Sequence, residues 1–271
     1  MLALPSPPLV EEYDGVPLVY LHDDAKDVKA LLQTIYDPSY LPYPLHAKST
    51  PLLSGLLKLA MKYEVDFLRN RIVQNAIASW PRDLAAWDKI EDNIDFQTKS
   101  GKHDIDVLPN PVYAIRIGRD CNIPEILPLA YYALSWQPTP KLSDSVSRFG
   151  WDRQALSREE LEIFNLGKEG ILTFILEHSA MDPTNLWMCG QRECSGRLDA
   201  VLLLWREIIT ELMMRPYALL LLRQKASEIR NDKCEAFVSC VSCRSQISKK
   251  LREVRKRLFE ELPNLFQVCL S

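Results

Sequence analysis

Residues 50–79 read Thr50-Pro-Leu-Leu-Ser-Gly-Leu-Leu-Lys-Leu-Ala-Met-Lys-Tyr-Glu-Val-Asp-Phe-Leu-Arg-Asn-Arg-Ile-Val-Gln-Asn-Ala-Ile-Ala-Ser79. Proline directly after Thr50 is a helix-start signal, and Leu52, Leu53, Leu56, Leu57 and Ala60 recur at helical spacing behind it. Asp66 is placed to cap a second helix with Leu68, Ile72 and Ala76 on its inner face. Trp80-Pro81 stops that helix, because proline disfavours helical geometry in the residue before it. The two stripes predict an antiparallel helix pair in which Leu56, Leu57, Ala60 and Tyr63 pack on Leu68 and Ile72.

The same period continues outward in both directions. Upstream, Asp23 or Asp24 can cap a helix carrying Val28, Leu31, Leu32 and Ile35 on one face and ending before Asp37-Pro38. Downstream, Asp83 opens a helix with Leu84, Trp87, Ile90 and Ile94 in one stripe. Asn110-Pro111 and Ile123-Pro124 mark two more starts. Ser157 with Glu160 forms a capping box before a helix reaching about Glu177, and helices follow at roughly 195–214, 216–232 and 244–261. Gln97 to Asp106 and Gln137 to Ser147 read as connections. Val16 to Leu21, after the turn-like Asp14-Gly15, is the one strand candidate and has no obvious second strand. With only nine glycines in 271 residues and no sustained alternation, the chain is expected to be mainly α.

Hydrophobic residues make up 47% and charged residues 25% of the chain, and the net charge is −3. This is enough to build a core, and nothing at the whole-chain level favours a nucleic-acid partner. The longest apolar runs, Ala200 to Trp205 and Ala218 to Leu222, fall short of the roughly 20 residues a bilayer requires. Met1 to Glu12 carries no Lys or Arg ahead of its apolar stretch, so it does not read as a secretory signal, and a cytoplasmic or nuclear location is expected.

Several stretches together resemble the fungal BTB/POZ family of the basidiomycete type. Gly15-Val-Pro-Leu-Val-Tyr-Leu-His-Asp-Asp24 and Leu31-Leu-Gln-Thr-Ile-Tyr-Asp-Pro-Ser-Tyr-Leu41 are similar to that family's strand, helix and "IYDP.YL" ending. Leu57 to Arg69 resembles its "LL.LA.KYEVD.LR" helix pair. Trp80-Pro81 with Trp87-Asp88 follows in the same order, and Cys121-Asn-Ile-Pro-Glu-Ile-Leu-Pro128 is similar to its helical extension. The resemblance implies a partial BTB/POZ-like fold with few short strands over residues 1–97, a helical extension and linker over 98–150, and an all-helical C-terminal region over 151–271. It also implies a non-enzymatic protein-interaction module, with a cullin-type ubiquitin-ligase scaffold as one partner. The family's first strands and helix, which build its dimer, are expected before Met1. The usual homodimer is therefore not expected, and apolar surface on Leu31, Ile35, Leu56 or their neighbours is expected to be uncovered.

Two cysteine pairs, Cys189 with Cys194 and Cys240 with Cys243, are each spaced so that both thiolates can reach one tetrahedral ion. Zinc takes four such ligands at about 2.3 Å, and a closed shell of four cysteines is structural. In the resembling family a paired-cysteine motif, a basic helix and an "LP..F" ending, here Leu262-Pro263-Asn264-Leu265-Phe266, occur together. Cys121, Cys234 and Cys269 are single and read as small buried hydrophobes. His22, His46, His103 and His178 show no ligand spacing, and only His178 is a spare candidate. No phosphate loop, nucleophile elbow or carboxylate pair is present, so no catalytic residue is assigned. Lys249 to Arg257 is basic, with Ile247, Leu251, Val254 and Leu258 facing inward. A solvated helix face is the first reading of that run. The alternative is a zinc-stabilised transcriptional regulator using this helix on DNA.

Overall fold

The computed structural model describes residues 11–41, 50–99, 108–136, 156–179, 197–214, 217–231 and 241–269. The protein is mainly α-helical with one two-stranded sheet among the described residues. Strands β1 (Glu12–Tyr13) and β2 (Val16–Pro17) pair antiparallel, with Tyr13 opposite Val16. Asp14 and Gly15 between them both take positive φ, 57° and 75°. This is the turn whose twist suits a two-residue hairpin, and an Asp-Gly dipeptide favours it. The strand expected over Val16 to Leu21 is thus confined to two residues, and its partner lies just upstream across that turn.

Helices α1 (Ala25–Tyr36), α2 (Thr50–Lys62), α3 (Asp66–Ser79) and α4 (Leu84–Lys99) follow. Asp24 caps α1 by accepting the N–H groups of Lys26 and Asp27. Asp66 does not cap α3: it is the first helical residue, and Val65 in the cap position offers no side-chain bond. Helix α4 runs two residues beyond Gln97, into the stretch expected to be a linker. Helices α5 (Pro111–Asp120) and α6 (Leu127–Ser135) are joined by a 3-10 turn at Pro124–Ile126. The C-terminal region is α7 (Arg158–Ser179), α8 (Arg197–Met214), α9 (Ala218–Arg230) and α10 (Val241–Leu265). Ser157 and Glu160 form the expected capping box, each accepting the other's backbone N–H.

Three helices end on a left-handed residue that is not glycine: Glu64 after α2, Asn122 after α5 and Gln267 after α10. In each case the next N–H reaches back to close the last turn, Val65 to Ala60 at 2.8 Å, Ile123 to Gly118 at 2.7 Å and Val268 to Pro263 at 2.7 Å. These bonds satisfy carbonyls that a helix end would otherwise leave orphaned.

The packing of α2 on α3 buries Leu56, Leu57, Ala60, Leu68 and Ile72 as expected, with Tyr63 partly covered. Helix α1 departs from expectation. It buries Ala30, Leu31 and Thr34, and leaves Leu32 49% and Ile35 41% exposed. Of the residues expected to be uncovered, Leu31 and Leu56 are buried, whereas Ile35 and the neighbouring Leu32 are exposed. One hydrophobic cluster runs from Ala30 to Val268 and draws on residues 1–97, 98–150 and 151–271 alike.

Candidate interaction surface

The hairpin, residues 18–23 that follow it and the outer face of α1 together build one surface. Asp23 fixes this segment to α2: Lys62 Nζ lies 2.7 Å from its carboxylate, and the Tyr63 hydroxyl donates to the same group. Those two bonds hold the Asp23 carboxyl below the ordinary carboxylate range. Tyr20 donates its hydroxyl to Glu11. Among the described residues, the N–H of Leu18 reaches Glu11 O at 2.7 Å, whereas those of Val19, Tyr20 and Leu21 have no backbone partner.

Between this segment and α1 lies an open groove of about 730 Å³ lined chiefly by Leu18, Val19, Leu21, Val28, Leu32, Tyr36 and Tyr40. Tyr36 is 86% exposed and Val19 73%. Seven large apolar or aromatic side chains of the lining are substantially exposed. Exposed apolar side chains clustered in this way mark interaction surfaces more often than chance scatter does. Water makes such a surface costly, at about 25 cal/mol per Å².

A second cluster has the composition of an active site but a different geometry. Glu91 on α4 is fully buried, accepting from Trp87 Nε1 at 2.8 Å and from Arg255 on α10 at 3.1 Å. Arg255 also donates to Asp88, and its Nε donates to Leu219 O at 2.8 Å. Arg223 on α9 pairs with Asp92 at 2.6 Å and lies 3.6 Å from Glu91. Burial pushes the Glu91 carboxyl up to about 7, against the pull of the two guanidiniums. Around it, Trp87, Tyr132 and Trp136 meet edge-on at 5.1–5.8 Å between ring centres. The Tyr132 hydroxyl accepts the Leu219 N–H at 2.8 Å. A perturbed carboxyl often marks chemistry, but this one faces only protein, so the cluster acts as a clamp joining α4, α9 and α10.

Of the expected zinc ligands, Cys189, Cys194 and Cys240 lie outside the described residues, and Cys243 falls in the first turn of α10. Among the described residues no His, Cys, Asp and Glu side chains gather as a metal-binding group. Cys121 is a buried free thiol raised by burial, as expected of a small hydrophobe, whereas Cys269 is exposed. His178 stacks on Phe174, and its Nδ1 lies 2.7 Å from the Phe174 carbonyl. His46, His103 and Cys234 lie outside the described residues.

On α10, Ile247, Leu251, Val254 and Leu258 are buried as expected. Of the basic run, Arg255 turns inward. Lys249, Lys250 and Lys256 lie 3.7–4.0 Å from Glu253 or Glu260. Glu253 and Glu260 thus lie among the lysines of this helix face. No helix among the described residues is long and apolar enough to cross a membrane.

Comparison with family models, curated proteins and solved structures gives no match to this chain.

Proposed function

We propose that this chain is a non-enzymatic protein–protein interaction module of BTB type that acts as an adaptor, with a cullin-type ubiquitin-ligase scaffold as its leading candidate partner. The observation that supports this reading is the exposed apolar groove between residues 18–23 and α1. Seven of its lining side chains, Leu18, Val19, Tyr20, Leu21, Leu32, Tyr36 and Tyr40, are large, apolar or aromatic, and exposed, a composition suited to protein contact. It is not a substrate cavity in the usual sense, since it is open and holds no cluster of convergent catalytic groups. The Asp23 anchor to Lys62 and Tyr63 keeps the surface in place before a partner arrives, which lowers the ordering cost of association.

The test is calorimetric titration of the purified chain with the N-terminal part of a cullin-type scaffold, followed by cross-linking to map the contact. Saturable binding mapped to residues 13–40, and abolished by Val19→Asp with Leu32→Asp, is the expected result. Binding that maps to another face, or that survives both substitutions, refutes the assignment of this surface.

A further inference from the structure

Cross-strand contact in the hairpin reaches past its two assigned pairs. Tyr13 pairs with Val16 and Glu12 with Pro17, and one step further the Leu18 N–H still donates to Glu11 O at 2.7 Å. The Tyr20 hydroxyl donates to the Glu11 carboxylate, a contact open to side chains that are diagonal neighbours on one face of an antiparallel pair. Leu18 and Tyr20 both line the groove. Residues 1–10 join the chain at Glu11, so they are tethered at the groove's wall.

The same register, carried on, sets Val10 against Val19, Leu9 against Tyr20 and Pro8 against Leu21. Hydrogen-bonded and non-hydrogen-bonded positions alternate along an antiparallel pair. With Glu11 and Leu18 bonded, Leu9 and Tyr20 take the next bonded position, and Pro8 falls where its missing N–H costs nothing. Pro7 falls on a bonded position it cannot serve, so pairing ends there.

The stretch that remains, Met1-Leu-Ala-Leu-Pro-Ser-Pro7, has no charged side chain. In the polyproline geometry that prolines favour it reaches about 22 Å, at ~3.1 Å per residue. Helix α1, with 12 residues, is about 18 Å long. Proline-rich segments dock in grooves lined with aromatic rings, and Tyr20, Tyr36 and Tyr40 line this one. A tether also supplies such a segment at an effective concentration on the order of millimolar. A competitor from another molecule has no such advantage.

We infer that residues 1–10 of this chain fill the groove in cis, extending the hairpin beside residues 19–21 and laying their leucines and prolines along α1. The consequence for regulation rests on the interaction-module reading: a partner reaches this surface only by displacing the segment.

The experiment compares the intact chain with its Leu4→Ser, Leu9→Ser double variant, and circular dichroism checks that the fold is kept. Amide hydrogen exchange is followed residue by residue. In the wild type the Tyr20 N–H, donating to the Leu9 carbonyl, is expected to exchange about tenfold more slowly than those of Val19 and Leu21 at every protein concentration, and to lose that protection in the variant. Anilinonaphthalene sulfonate, an apolar dye, should brighten several-fold on the variant, and adding Leu32→Asp should cancel the gain. Equal exchange of the three amides overturns the inference, as does equal dye binding by the two chains. Protection that grows with concentration alongside a dimer in light scattering also overturns it, since residues 1–10 then fill the groove of a second copy. Titration with the cullin-type scaffold separates this inference from the interaction reading. About tenfold tighter binding by the variant, mapped to residues 13–40, supports both. Equal affinity at that surface removes only the inference. Loss of Tyr20 protection and a gain of dye in the variant, with no scaffold bound by either chain, remove only the interaction reading.

Discussion

Replacing Arg255 with methionine keeps the length of the side chain and removes its charge, and the structure sets what should follow. Three acceptors lose a donor together: the Leu219 carbonyl at 2.8 Å, Asp88, and the fully buried Glu91 at 3.1 Å. Leaving buried acceptors without their donor costs ~1–3 kcal/mol each, even though Glu91, its carboxyl already raised to about 7, takes up a proton when the cation is lost. Arg223, 3.6 Å from Glu91, offsets part of this, so about 3 kcal/mol is expected. A domain stable by only ~5–15 kcal/mol should show the loss plainly in urea titration, as a lower midpoint at unchanged slope. Arg255→Met combined with Glu91→Leu removes both charges and should recover at least half of the loss, a coupling of roughly 2 kcal/mol. A loss under about 1 kcal/mol for the single substitution, or strict additivity in the pair, would refute the clamp.

Four further outcomes are expected. The Glu91 carboxyl, raised to about 7 in the folded protein, binds its proton more tightly there than in the unfolded chain. Its contribution to stability is therefore full below about pH 4.5 and lost as pH rises to 7, by roughly 3 kcal/mol. Denaturation across that window should show wild type losing stability relative to Glu91→Gln, and parallel curves would contradict the assignment. A Cβ on Gly167 would lie 2.0 Å from the ring of Phe266, which is itself fully buried. Gly167→Ala should accordingly lower stability by ~1–3 kcal/mol in a thermal melt despite its better helix propensity. Glu64→Gly relieves a left-handed backbone at φ 54° and should raise the melting temperature, by an amount corresponding to about 0.5–1 kcal/mol; a lower melting temperature speaks against strain there. The cysteine spacing makes one zinc per chain the expected result of elemental analysis, abolished by Cys189→Ser with Cys194→Ser. Metal-free protein with full stability retires that expectation.

The helices were legible because their signals are local. Thr50-Pro51, Asp24, Asn110-Pro111 and the Ser157/Glu160 box all act within one turn, and the apolar stripes of α2, α3 and α10 face the core that their period implied. Reading failed where the deciding partner is remote or where only part of an apolar face is buried. Leu32 and Ile35 share the apolar stripe of α1, yet the core takes Ala30 and Leu31 and leaves the others at the surface. Periodicity cannot separate the apolar residues of a stripe that the core takes from those it leaves exposed. Arg255 sat inside a basic run that reads as solvated, and Glu91 inside an ordinary acidic helix. Their partnership spans 164 residues, and no local pattern encodes it. The Asp14-Gly15 hairpin could have been found, since that dipeptide is the strongest short-range turn signal, but the strand before it is only two residues long.

The distance between Glu91 and Arg255 also has a consequence during synthesis. At ~5–20 residues per second, a ribosome releases α4 roughly 10–30 s before α10. Through that interval Trp87, Tyr132 and Trp136 can gather, but closing them over Glu91 would bury an acid whose main cation has not yet been made. The N-terminal helices are therefore expected to stay short of their final packing until α10 has been synthesised. A nascent chain arrested before residue 255 should remain protease-sensitive across α4 and α6, and should be a client of holding chaperones even though most of its core residues have already emerged.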